Sequence, residues 1–163
     1  MLNWVSRFNI FCLLDNHSGY AGKGPFDCLL AAGARASFSA GAGQALDKLR
    51  VFSDAHPGEW LFGHFSFDLK NETVPGLHSA HPDGIGFSDL HFFVPEVLLQ
   101  LEGDQLKVAC TAGDPAEHFH AILRSPTILP ETVPVPVVQH RLDRETYIRR
   151  AQALQRHIHR GDC

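Results

Sequence analysis

Eleven histidines and four cysteines are the residues to question first, because imidazole and thiolate most often hold metals or act as bases. Their spacing argues against both uses. His118 and His120, and likewise His157 and His159, stand two apart on predicted helices. A step of two residues turns helical side chains about 200° away from each other. His78 and His81 fall in a loop, and no HExxH occurs. The pattern predicts surface or hydrogen-bonded histidines rather than a built metal site. Cys12, Cys28, Cys110 and Cys163 are far apart with no CxxC pair. The first three sit in apolar strand-like runs, where a free thiol packs as a small hydrophobe. Gly41-Ala42-Gly43 precedes a predicted helix, as phosphate-binding glycines do, but Leu46 stands where the third glycine of a dinucleotide fingerprint belongs. Ser66, in His64-Phe65-Ser66-Phe67, lacks the flanking glycines of a nucleophile elbow. Residue chemistry alone yields no catalytic constellation.

The elements that would position these residues are β-rich at the start and helical at the end. Phe8 to Leu14 is aromatic and apolar enough for a buried strand. It runs into a Gly/Asn/Pro loop, Asp15 to Pro25, and Phe26 to Ala34 returns beside it as a second strand. Gly43 to Ala55 is predicted helical, with Ala45, Leu46, Leu49 and Phe52 at helical spacing and His56-Pro57-Gly58 as the stop. Trp60 to Asp68 reads as a strand in which Gly63 marks a bulge or a close backbone approach. A long His/Gly/Pro-rich connection covers Lys70 to Asp89. Val94 to Leu101 and Gln105 to Thr111, around Glu102-Gly103-Asp104, make a β-hairpin. Asp114-Pro115-Ala116-Glu117 opens a short helix, with Asp114 as cap, Pro115 at the first position and Glu117 completing a capping box.

Ser125 to Pro136 holds four of the ten prolines and predicts an extended linker. A last helix spans Asp143 to Arg160, its apolar stripe formed by Tyr147, Ile148, Ala151, Leu154 and Ile158, with Gly161 at the C-terminal cap. A stripe without a following partner element predicts a domain just begun. The expected organisation is a β-rich domain over 1–124, a linker over 125–139, and over 140–163 the first helix of a second, truncated domain.

Composition narrows the classes of function. Of the 163 residues 44% are hydrophobic and 20% charged, a globular balance that excludes a disordered or collagen-like chain. Residues 1–139 carry 8 Lys/Arg against 15 Asp/Glu, so the body is a poor nucleic-acid binder. Residues 140–163 carry 6 Arg against 3 acids, which on a helix predicts a solvated face or a subunit contact. No apolar run approaches the ~20 residues of a membrane span, and no signal peptide is evident, so the expected compartment is the cytoplasm.

Three stretches together resemble the chorismate-binding enzymes, the family of anthranilate synthase component I. The tail from Asp143-Arg144-Glu145-Thr146-Tyr147 to His157-Ile158-His159-Arg160-Gly161-Asp162-Cys163 is similar to the opening helix of the catalytic domain. In that family a Tyr begins this helix and a Gly-Asp-Cys/Ile segment closes it, just before an aromatic-Gln/Glu pair. Gly63-His64-Phe65-Ser66-Phe67-Asp68-Leu69 is similar to the glycine–aromatic–Asp-Leu strand, with Glu72 near its usual acidic neighbour. Leu13-Leu14-Asp15-Asn16 stands where the family has Leu-Leu-x-Ser, followed by Phe26-Asp27 and an apolar strand. Within the family, Phe26 to Gly33 looks most like the aminodeoxychorismate synthase branch, with the anthranilate synthase branch next.

The resemblance implies an α+β fold: an antiparallel β-rich N-terminal domain of a two-sheet sandwich with peripheral helices, the second sheet contributed by the catalytic part. It implies an enzyme that uses chorismate and ammonia from a glutamine amidotransferase partner to form 4-amino-4-deoxychorismate for folate synthesis. Mg²⁺ and the acid/base residues would belong to the C-terminal domain, so this stretch alone is expected to be inactive and to contain no catalytic residue. The N-terminal domain of the family can hold tryptophan. The matching positions are Asn16 for the motif serine, and Lys23, Gly24, Pro25 and Phe26 for the loop against the ligand. Because Asn16 replaces the serine and the usual charged or aromatic loop residues are changed, a plain structural loop is favoured over a tryptophan site.

Overall fold

The computed structural model describes residues 1–16, 26–74, 76, 83–126, 135 and 137–162. The chain divides into two compact units, Met1–Ile128 and Leu129–Cys163. The first is a mixed α+β unit with two antiparallel sheets. Four strands form one sheet: β1 (Phe11–Asp15), β2 (Cys28–Ala32), β6 (Val97–Glu102) and β7 (Gln105–Cys110), in the order β1-β2-β6-β7. Three form the other: β3 (Ala36–Ala40), β4 (Phe62–Phe65) and β5 (Leu90–Val94), in the order β3-β5-β4. Both sheets are built by this unit's own residues, whereas the family resemblance places the second in the catalytic part.

The layering follows from which face of each strand is apolar. In β2 the run Leu29-Leu30-Ala31-Ala32 is buried on both faces, which is why it does not alternate. Leu30 and Ala32 point outward into a core with Val97, Leu99, Trp4 and Val5. Leu29 and Ala31 point inward, against Phe62 and Phe93 of the other sheet. A third core lies on the far side of β5, where Leu90 meets Ala45 and Leu69, with Phe38, Leu49 and Phe92 packed around them. Fully burying Leu29, Leu30, Leu90 and Leu99 stabilises the unit by about 2 kcal/mol each.

Helices close the two outer faces. The short α1 (Leu2–Val5) delivers Trp4 and Val5 to the first core, and Phe8 packs edge-on to Trp4 at 5.0 Å rather than entering a strand. Alongside it, α4 (Pro115–Arg124) packs Ala121 and Ile122 on the same core. Asp114 caps α4 as expected, its Oδ1 accepting from Ala116 N at 2.9 Å. Glu117 donates its own amide to the Asp114 carbonyl, and among the described residues no bond from its carboxylate closes the capping box. On the opposite face α2 (Ala45–Asp54) covers the third core through Ala45 and Leu49.

Several boundaries differ from the sequence expectation. The strand predicted over Val94–Leu101 is two strands in different sheets, because Pro95 lacks the N–H that would continue the ladder and Glu96 carries the chain across. The strand over Trp60–Asp68 shortens to β4, after which Phe67–Leu69 turn as a 3₁₀ helix so that Leu69 reaches the third core. The connection from Lys70 begins with one more helical turn, α3 (Lys70–Thr73). Gly63 does mark a close approach: a Cβ there would lie 2.7 Å from Phe92 Cα and 2.7 Å from its Cγ.

The second unit contains α5 (Arg144–Arg160). Asp143 Oδ1 accepts from Thr146 N at 2.7 Å, and Oδ2 from the Thr146 hydroxyl at 2.9 Å. At the other end Gly161 has φ +76°, its N–H bonding Ile158 O while Asp162 N–H bonds His157 O, both at 3.0 Å. That pair of bonds is a Schellman cap. Tyr147, Leu154 and Ile158 of the apolar stripe are 64%, 57% and 54% exposed. Most of the linker predicted over 125–139, and both His78 and His81, lie outside the described residues. No described helix is long and apolar enough to cross a membrane.

Candidate functional site

The chain passes between the two sheets twice, at Gly33–Arg35 and at Pro95–Glu96, and both passages lie at the same end. At the opposite end Asp15 pairs with Cys28 in one sheet, and Ala40 pairs with Leu90 in the other. Among the described residues, the polar side chains on these inner faces lie towards this second end, which no described passage of chain closes (the open end).

Strand register puts Ser39, His91 and His64 in one row across β3, β5 and β4. Because side chains alternate, the row shares a face with Phe93 and Phe62, the face turned to the other sheet. Ser39 Oγ and His91 Nδ1 are 2.6 Å apart. The His64 and His91 rings stack at 6.1 Å, and His64 Nε2 lies 3.2 Å from the Ser88 carbonyl. Among the described residues His91 Nε2 is buried without a hydrogen-bond partner. With Nδ1 engaged by the hydroxyl, that nitrogen is the free valence of the row, a donor or an acceptor according to the tautomer.

The sequence-predicted site residues converge on the same end only in part. Asn16 is half-buried, and its amide donates to the Asp27 carbonyl at 2.9 Å, continuing the β1–β2 ladder by one bond. Phe26 is half-buried and packs on the core of Leu29, Ala31, Phe62 and Phe93. Lys23, Gly24 and Pro25 lie outside the described residues. Sequence reasoning missed Ser39 and His91. The available signal was the alternation Ala36-Ser37-Phe38-Ser39-Ala40, a period-two pattern made faint by small side chains of low strand preference.

A second polar cluster sits behind the row. Asp89 accepts from Ser66 Oγ at 2.7 Å and from Ala42 N at 2.8 Å. Among the described residues no bond joins Asp89 to His91, so Ser39–His91 is a pair rather than a triad. The Gly41-Ala42-Gly43 segment does open a helix, but its anion is supplied from within. Glu72 accepts from Gly43 N at 2.8 Å and Ala45 N at 2.7 Å through one oxygen, and from Leu46 N at 3.1 Å through the other. The bonds from Leu46 and Ala45, then Gly43, with Lys48 nearby, hold the Glu72 carboxyl below its ordinary value. A phosphate would find those amides taken.

No three His, Cys, Asp or Glu side chains among the described residues come together to hold a metal. Burial pushes the Cys12 thiol up, and burial with Asp15 nearby does the same for Cys28, so neither is a ready thiolate nucleophile. At the open end, exposed Ser39 and His64 and half-buried His91 stand beside the apolar Phe62 and Phe93. Compared with family models and with curated proteins, the sequence finds no match.

Proposed function

We propose that this chain is the N-terminal portion of an aminodeoxychorismate synthase component I, the enzyme that converts chorismate and ammonia to 4-amino-4-deoxychorismate. The reading is carried by one observation: three motif segments occur in the family's order, and each has a physical role that fits its motif. Leu13-Leu14-Asp15-Asn16 ends β1 at the open end of the sandwich, beside Phe26. In Gly63 to Leu69 the glycine is required by the β5 backbone at the His91 carbonyl and Phe92 Cα, with the Phe92 side chain as near, and Asp68-Leu69 turns the chain so that the leucine is buried. The Asp143 to Asp162 segment is a helix with its own cap at each end and an apolar stripe.

In this reading the two-sheet unit is the family's N-terminal domain, and α5 begins the catalytic domain. The partners are a glutamine amidotransferase subunit that supplies ammonia, and chorismate; the compartment is the cytoplasm. Mg²⁺ would clamp the substrate in the catalytic part. The described residues provide no donor set for it. What this chain's own residues contribute is a scaffold and, at its open end, a place for a small polar ligand.

A second reading has its own support. Asn16 and Phe26 share the open end with Ser39 and His91, which suits a tryptophan-holding domain of the anthranilate synthase branch. The test of both is an assay of protein expressed with any downstream coding sequence retained, given chorismate, glutamine, Mg²⁺ and a purified amidotransferase. Accumulation of 4-amino-4-deoxychorismate supports the first reading and fluorescent anthranilate the second. Unconsumed chorismate overturns both. Tryptophan binding to the chain itself, followed by calorimetry, separates a loaded open end from an empty one.

A further inference from the structure

The corner where the two sheets are joined holds a cleft of about 300 Å³, lined by Glu59, Trp60, Pro95, Glu96, Leu98 and Thr111 among others. It lies at the opposite end of the sandwich from Ser39 and His91, and owes nothing to the chorismate reading. Its walls divide by chemistry. Trp60 is 51% exposed and stacked on Phe62 at 6.1 Å and 22°, so the ring is braced from the strand side. Pro95 and Leu98 give the cleft an apolar floor.

Two carboxylates complete it, and their states differ. Glu59 is neutralised by Arg35 at 2.8 Å. Glu96 has no cation partner among the described residues, and its backbone is fixed, its carbonyl accepting from Thr111 N at 2.9 Å. Gly33 lets the Glu96 side chain lie flat on the chain: a Cβ at that position would stand 2.6 Å from Glu96 Oε2. The cleft thus combines one uncompensated negative charge, an aromatic wall and an apolar floor. A bare cation would lose more hydration than one carboxylate returns, whereas an ammonium on an alkyl stem satisfies all three surfaces.

We propose that this corner cleft binds a primary alkylammonium group, with its charge at Glu96 and its stem on Trp60. The ligand is a free amine or the side chain of a lysine; the recognised chemistry is the same. The experiment titrates the full chain with n-butylammonium and follows tryptophan emission. Trp4 is 1% exposed, so a change on binding reports Trp60. The expected result is saturation with a Kd on the order of 1 mM. Neutral n-butanol should bind at least about tenfold more weakly, because it lacks the charge. Glu96→Gln should lose about the same factor while keeping the melting temperature, and Glu117→Gln, on α4 and outside the cleft, should bind as the parent does. Tighter binding of Nα-acetyl-lysine amide than of butylammonium identifies a lysine as the source, and the reverse order a free amine. Equal binding of butanol and butylammonium, an unchanged affinity in folded Glu96→Gln, or no saturation overturns the proposal.

Discussion

Helices α2 and α5 begin in opposite ways. Every group that caps α5 is local: Asp143 takes the Thr146 amide, and Gly161 and Asp162 close the far end. α2 has no such start. Its cap position is Gln44, in the left-handed region at φ +62° with no side-chain bond, and the amides of Gly43, Ala45 and Leu46 are satisfied by Glu72 from α3. The burial of the two helices is opposite as well. α2 places Ala45 and Leu49 in a core, while α5 leaves Tyr147, Leu154 and Ile158 more than half exposed. One helix is complete in its own sequence and finds no seat among the described residues of its own unit; the other has a seat and depends on a distant residue to begin. Capping groups satisfy the same orphan amides either way, but only the local kind can be read from neighbouring letters.

The sharpest way to break the contrast is to remove the seat. Gly63→Val drives a side chain into Phe92 at the middle of β3-β5-β4, and should cost the first unit about 3 kcal/mol. Denaturant unfolding measures that loss, and amide exchange should show α2 and β5 losing protection together while the α5 caps persist. Next in size is Glu72→Ala. It should speed exchange at Gly43, Ala45 and Leu46 about tenfold or more, because three amides lose their acceptor at once. Asp143→Ala, which frees one amide, should act only on the first turn of α5. Equal effects from the two variants would erase the distinction.

Acid sharpens the comparison further. The Glu72 and Asp143 carboxyls are both held below their ordinary values of 4.5 and 3.8, chiefly by backbone amides of Leu46 and Thr146 respectively. A depressed carboxyl contributes stability that is complete above its unfolded value and is lost as pH falls through its folded value. Both helix starts should therefore be unchanged from neutral pH down to about 5 and fray below their ordinary pKa values. NMR titration of the Ala45 and Thr146 amides follows the two separately. The smallest effect is expected at Ser39→Ala. It leaves His91 Nδ1 without its partner at a cost of about 1 kcal/mol, and ¹⁵N shifts of the ring should report a changed tautomer balance.

Legibility in the sequence follows the same division. α5 stands where its spacing predicts, within a residue at each end, because Asp143, the stripe and Gly161 are all contiguous signals. The pairing of β1 with β2, the β6–β7 hairpin and the start of α4 were legible for the same reason. The burial expected of the first strand was not met, since Phe11, Leu13 and Leu14 are exposed on this sheet-edge strand. β3 was not, since Ala and Ser carry little strand preference and Phe38 alone marks its buried face. The break at Pro95 was hidden inside an unbroken apolar run that belongs to two different sheets. Of the candidate open end, Asn16 and Phe26 could be placed by motif. His91 could not, because its neighbours Ser39 and His64 arrive from strands 52 and 27 residues away by numbering.

Two crossings at one end make that border of the sandwich a spine, and among the described residues the other border has none. Covalent chain runs from layer to layer through Gly33 and Pro95, whereas at the far margin Ser39 and His91 bond within one sheet and no described residue carries the chain across. Any breathing of one layer against the other therefore pivots at the spine and is widest at the margin. A guest at the margin would clasp the leaves like a paperweight, and one in the Trp60 corner would sit in the fold of the page and hardly move.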